Sequence, residues 1–129
     1  MILASVSPNN WVDFLDASYI EITDAIEYPE VNGVWKKIGQ NGGKPAFKHI
    51  SGLPMFLYAD TKSNGNWQIS DQLDGGNTVY WTHKTVNLTR NQLFYLANSD
   101  PIEESPLKIN LLTAPPRGKR MKLKLGRFI

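Results

Sequence analysis

The runs Val31-Asn32-Gly33-Val34-Trp35, Asn41-Gly42-Gly43-Lys44-Pro45-Ala46-Phe47, Leu57-Tyr58, Asn66-Trp67-Gln68-Ile69-Ser70-Asp71 and Val79-Tyr80-Trp81 decide the fold. Each is a short apolar or aromatic segment, and Gly, Asn, Asp and Pro clusters part it from the next. Antiparallel strands joined by tight turns produce this pattern, because Gly and Asn tolerate the positive φ that such turns demand. Asn32-Gly33 predicts a turn between a strand over residues 19–26 and a second over 34–38. In the first, Ile20 and Ile22 alternate with Glu21 and Thr23, leaving one apolar face. Further strands are expected over 46–50, 55–59, 67–70 and 78–83, parted by residues 51–54, 63–66 and 74–77. A spacing of roughly ten residues favours a meander that curls into a small barrel or open sheet.

Gly33, Gly42 and Gly65 are the positions expected to need positive φ, and Asn41 followed by two glycines is expected to lengthen or loosen its turn. Trp35, Phe47, Phe56, Tyr58, Trp67, Tyr80 and Trp81 supply most of the core bulk. On the N-terminal flank, Asn10 is placed to cap a short helix with Trp11, Phe14 and Leu15 on one face. On the other flank, residues 93–96 form a brief apolar patch and 107–112 a further strand. Pro115-Pro116 then stops any ladder, so the chain leaves the domain. The expected organisation is an N-terminal arm or short helix over 1–18, a β domain over 19–112 and a basic C-terminal arm over 113–129. The fold class is mainly β, an antiparallel meander with extended arms and one short helix.

A chain of 129 residues, 41% of them apolar, closes one hydrophobic core. It has no cysteine, so neither a disulfide nor a thiolate metal site holds it together. No segment approaches the ~20 apolar residues of a spanning helix and the first residues do not read as a signal peptide, so no membrane partner is expected. The net charge of +2 hides an asymmetry. Arg117, Lys119, Arg120, Lys122, Lys124 and Arg127 fall in the last thirteen positions without one acid, leaving residues 1–116 with eight basic and twelve acidic groups. An acidic body with a basic terminus points to an interacting segment, and these six residues are the expected partner-binding set.

The ordered runs quoted above resemble a small β module of the form NG-x-[YW], NG-[KR]-P-x-[YF], W-x-I and Y-[YW], met in virion and tail-fibre proteins of tailed bacteriophages. The resemblance covers about half the chain, roughly residues 20–83. Its motifs are turn glycines and aromatics, which specify a fold more than an activity.

Candidate chemistry is sparse. His49 and His83 sit in expected strands with no serine or thiol motif beside them, so nucleophilic catalysis has no constellation to use. The acid pairs Asp71 with Asp74 and Glu103 with Glu104 are read as solvated turn residues, not as a glycosidase pair. The segment 71–77 lacks the alternating ligands and terminal Glu of a calcium loop, and Asn41-Gly42-Gly43-Lys44 reads as a hairpin turn rather than a phosphate loop. No enzyme activity, metal or cofactor is expected. Two features suit binding. Trp67 or Tyr80, if on the outer face, would stack on a sugar or a base. In the basic segment, Lys122-Leu123-Lys124-Leu125 alternates strictly and suits addition to a neighbour's sheet edge. Its expected partners rank as protein, then nucleic acid, then membrane.

The resemblance and the flanks together lead to the expectation of a non-enzymatic structural protein of a tailed-phage particle, made in the host cytoplasm and located in the virion. It would be a head decoration (cement) protein or a small tail or fibre component, binding capsid or tail subunits and in some arrangements its own copies. The alternative expectation is a carbohydrate-binding module for a cell-surface polysaccharide.

Overall fold

A computed structural model describes residues 5–6 as main chain, and residues 14–15, 17–61, 66–82, 88–97 and 101–112 with side chains. Among them are nine strands: β1 (Ser5–Val6), β2 (Tyr19–Thr23), β3 (Gly33–Asn41), β4 (Lys44–His49), β5 (Phe56–Ala59), β6 (Trp67–Gln72), β7 (Gly75–Trp81), β8 (Asn91–Leu96) and β9 (Glu104–Leu112). From β2 onward every strand pairs antiparallel with the next, and β9 pairs back onto β2 with Ile22 opposite Ile109. The eight strands therefore close into a barrel. On one side β9 pairs with β8 from Lys108 to Glu104, and beyond the end of β8 the short β1 adds to the sheet at Leu111 and Leu112.

Eight strands enclose a space that side chains can just fill, and this sequence fills it with aromatics. Trp35, Phe47, Trp67, Tyr80 and Phe94 are fully buried in the core beside Ile20, Ile22, Leu57, Ile69, Leu107 and Ile109. The rings meet edge to face, Phe14 on Phe47 at 6.0 Å and Tyr80 on Phe94 at 6.3 Å, the arrangement that the ring quadrupole favours. The indole N–H of Trp35 donates to the Val31 carbonyl at 3.0 Å, so the ring brings no unsatisfied donor inside. Leu88 and Phe14 add buried bulk from outside the strands.

The meander and its curling are thus observed, and several boundaries differ from expectation. β2 stops at Thr23 rather than 26, because Asp24 takes a φ of 71° and turns the chain out of the ladder. Asn32-Gly33 is not a two-residue turn: residues 24–32 form a longer connection containing a 3-10 turn at Pro29–Val31, and Asn32 has a φ of −63°. The Asn32 amide braces this loop, its oxygen accepting from Ala25 N–H and its nitrogen donating to the Ala25 carbonyl, each at 2.9 Å. Gly33 and Gly42 do take positive φ, at 127° and 62°. Gly42-Gly43 forms a two-residue hairpin loop between paired Asn41 and Lys44, so the second glycine does not lengthen the turn. β6 and β7 run through the segment expected to part them. Gln72 pairs with Gly75, and Leu73-Asp74 is the loop. The patch at 93–96 and the strand at 107–112 are the cores of the longer β8 and β9. The helix expected to start at Asn10, and Gly65, lie outside the described residues apart from Phe14 and Leu15.

Candidate functional site

With the interior occupied, the outer wall is what the barrel presents to other molecules. Side chains alternate across a strand. Tyr80 and Phe94 point inward, so their neighbours Trp81 and Tyr95 point outward from paired positions of β7 and β8. The two rings lie 5.5 Å apart, tilted by 41°, and both are half-buried. The expectation that Trp67 or Tyr80 forms an outer platform is overturned, since both are 0% exposed within the core. Trp81, expected in the core, is instead on the outer wall. Phe56 is also on the outer wall, half-buried, with the Lys48 ammonium 5.7 Å above its ring.

Tyr58 is buried although it too points outward, because the β6–β7 hairpin folds over it. Its hydroxyl lies 2.6 Å from Ser70 Oγ and accepts from Gly75 N–H at 3.2 Å. Burial raises its pKa above the ordinary tyrosine value, against the lowering effect of these hydrogen bonds. Ser70 Oγ in turn donates to the Gln72 carbonyl at 2.9 Å. Beside this cluster, Asn41, Gly42, Lys44, Ala59, Asp60 and Thr61 line a depression of about 250 Å³. At its edge Asp74 accepts from Thr61 Oγ1 at 2.7 Å and from Thr61 N–H at 3.1 Å. The Thr61 hydroxyl first, and its main-chain N–H second, hold the Asp74 carboxyl down at about 2. Asp60 accepts from Gln68 Nε2 at 3.0 Å.

The acids singled out in the sequence therefore do separate jobs. Asp71 accepts from Asn77 N–H at 2.7 Å and braces β7, while Asp74 fixes the hairpin loop to Thr61. Glu103 and Glu104 are exposed at the start of β9. His49 is nearly buried: Ser51 N–H donates to its Nδ1 at 3.1 Å, so its Nε2 carries the proton toward the Asn32 carbonyl at 2.9 Å. Packed edge-on against Trp35 at 5.1 Å, it is a neutral bracing residue in this geometry. Among the described residues no group of three or more His, Asp or Glu gathers to hold a metal, and no helix is long and apolar enough to cross a membrane.

A second depression, of about 300 Å³, lies where β2 and β9 diverge, lined by Asp24, Ile26, Glu27, Glu104, Ser105 and Pro106. Ile26 there is 79% exposed. Sequence reasoning missed this place, because it had Ile26 as a strand residue and no signal marks where two strands so far apart in the chain part company. The basic set Arg117, Lys119, Arg120, Lys122, Lys124 and Arg127 lies outside the described residues, as does His83. Comparison with protein-family models, curated proteins and solved structures finds no match.

Proposed function

We propose that this chain is a non-enzymatic structural protein of a tailed-phage particle, a head decoration (cement) protein or a small tail or fibre component, and acts by binding neighbouring subunits. The observation that carries the reading is the filled barrel, whose described side chains occupy the interior and leave the outer wall to meet partners. Large apolar side chains are exposed to solvent both on the strands, at Ile38 and Leu93, and in the connections, at Ile26, Leu53 and Ile102, where a protein partner gains by covering them. The basic segment 117–129 supplies a charged complement to an acidic body. The module resemblance supports the virion as its location; of its motif residues, Gly42 lies in a hairpin loop and Phe47, Trp67 and Tyr80 are core rings of this barrel.

The test is to band particles from a lysed source culture on a density gradient and probe the fractions for this chain. Co-banding with head or tail proteins, lost on deletion of residues 117–129, is the expected result. Recovery of the intact chain only in the free-protein fractions would overturn the reading.

A second reading rests on the Trp81 and Tyr95 pair, because adjacent outward rings suit stacking on a sugar face. A glycan array on which the intact chain binds and Trp81→Ala does not would favour a carbohydrate-binding module.

A further inference from the structure

Among the described residues, nothing seals the wall of the barrel between the end of β2 and the start of β9. The ladder ends at Thr23 opposite Lys108, since Asp24 turns the chain away and Pro106 has no N–H to offer a continuing partner. On its other edge β9 stays paired with β8 as far as Glu104. Leu96 N–H donates to the Glu103 carbonyl, which sets the alternation of this ladder. By that alternation the main-chain groups of Glu104 and Pro106 point away from β8, into the seam.

The seam combines a sheet edge that no described strand pairs with, an exposed isoleucine and positioned carboxylates. Glu27 accepts from Ser105 Oγ at 2.8 Å and from the Tyr80 hydroxyl at 3.5 Å, so its carboxylate is held in place before any partner arrives. Glu104 is exposed on the facing strand. Asp24 is matched by Lys108 at 3.4 Å, which leaves Glu27 and Glu104 as the acids that face a newcomer.

We propose that the basic C-terminal segment, residues 117–129, of one copy docks in this seam of a second copy. The inference rests on the assembly reading above and specifies one of its contacts. Charge complementarity selects the occupant: six basic residues and no acid meet two carboxylates on an acidic body. In extended form Lys122-Leu123-Lys124-Leu125 turns its leucines to the exposed apolar side chains of Ile26 and Pro106. The long lysine stems let the ammonium groups reach back to Glu27 and Glu104 on the rim. A second copy is favoured by geometry. The segment departs from the Leu112 end of β9, whereas the seam lies at the Glu104 end, about 27 Å away at 3.4 Å per residue. Because tail and seam are different surfaces, the contact is head-to-tail and repeats into rings or strings of copies.

The test is sedimentation velocity of the full chain over a range of concentrations, at low and high salt, with circular dichroism as the check on folding. The intact chain self-associates, more weakly at high salt. The charge reversals Glu27→Lys with Glu104→Lys, and Lys122→Glu with Lys124→Glu, each weaken association by on the order of tenfold or more. Mixing the two reversed proteins restores it, because each then offers the other a complementary tail and seam. A chain that stays monomeric, a compaction that does not depend on concentration, or association untouched by either reversal overturns the proposal. Particle incorporation of the same variants separates the two readings. Incorporation without self-association removes this contact alone, and self-association without incorporation removes the particle role alone.

Discussion

Replacing Tyr58 by Phe removes one oxygen from a buried cluster on the outer wall and leaves the ring in place. Ser70 Oγ already donates to the Gln72 carbonyl, so it accepts the tyrosine proton at 2.6 Å, and Gly75 N–H donates to the tyrosine oxygen at 3.2 Å. Gln68 Oε1 keeps the Thr78 hydroxyl at 3.1 Å whatever happens to Tyr58. The loss therefore falls on the buried Ser70 and the half-buried Gly75, and leaving such partners unmet costs about 1–3 kcal/mol. For a domain of this size that is a fall in Tm of roughly 5–10 °C. Urea unfolding followed by tryptophan fluorescence measures it. The Ser70→Ala variant and the double variant complete a cycle in which the two losses are strongly non-additive. A Tyr58→Phe cost below about 0.5 kcal/mol would refute the reasoning, for it would mean that solvent reaches these groups and the hairpin does not seal the cluster. Tyr80→Phe is the contrast. Its hydroxyl accepts from the half-buried Tyr28 N–H at 3.1 Å and donates to the exposed Glu27 at 3.5 Å, partners that water can meet in its place, so it should cost less.

Trp67→Ala should cost about 3–5 kcal/mol because it empties the core, whereas Trp81→Ala, on the outer wall, should cost far less; equal losses in urea unfolding would reverse the assignment of faces. The carboxyl of Asp74, held at about 2 against an ordinary 3.8, contributes stability that is present above pH 3.8 and is lost as pH falls toward 2; Asp74→Asn should flatten that part of the acid unfolding profile. At the alkaline end the burial of Tyr58 and Tyr80 raises both pKa values, so the stability they contribute is present below pH 10 and lost as pH rises through the folded values; tyrosinate absorbance should lag behind that of the unfolded chain. Gly76→Ala should cost about 1–3 kcal/mol, since the added Cβ would meet Asp71 Oδ1 at 2.2 Å at a φ of 72°, while Gly43→Asn, which meets no neighbour within 4 Å and bears only the strain of a φ of 83°, should lower Tm less.

Much of the barrel was legible because its strands carry alternation that survives inspection residue by residue. Ile20 and Ile22, then Leu107 and Ile109, each mark one buried face. What misled was glycine. Gly75 and Gly76 look like a turn in sequence, but they lie in β7, where the ladder with β6 shifts register between Ser70 and Gln72. A bulge admits the same positive φ as a turn, so composition cannot separate the two. Trp81 was misplaced for a related reason: aromatic residues suit both faces, and only the parity set by Tyr80 and Phe94 decides. The candidate seam was illegible in principle, since it is defined by where β2 and β9 separate, and that depends on a left-handed Asp24 and on Pro106 acting across the closed sheet. The charge of residues 117–129 was plain, but charge alone does not name a surface.

The partnership of β2 with β9 sets a timetable for the nascent chain. Thr23 and Lys108 are partners about 85 residues apart, so the first strand of the barrel waits for the last to be synthesised. At roughly 5–20 residues per second on the ribosome, that wait lasts about 4–17 s. During it the meander is an open sheet with two bare edges, the form most prone to pair with another chain. Release of a chain that ends before Glu104 would make that exposure permanent, so truncation products should be cleared or aggregate rather than persist as smaller barrels.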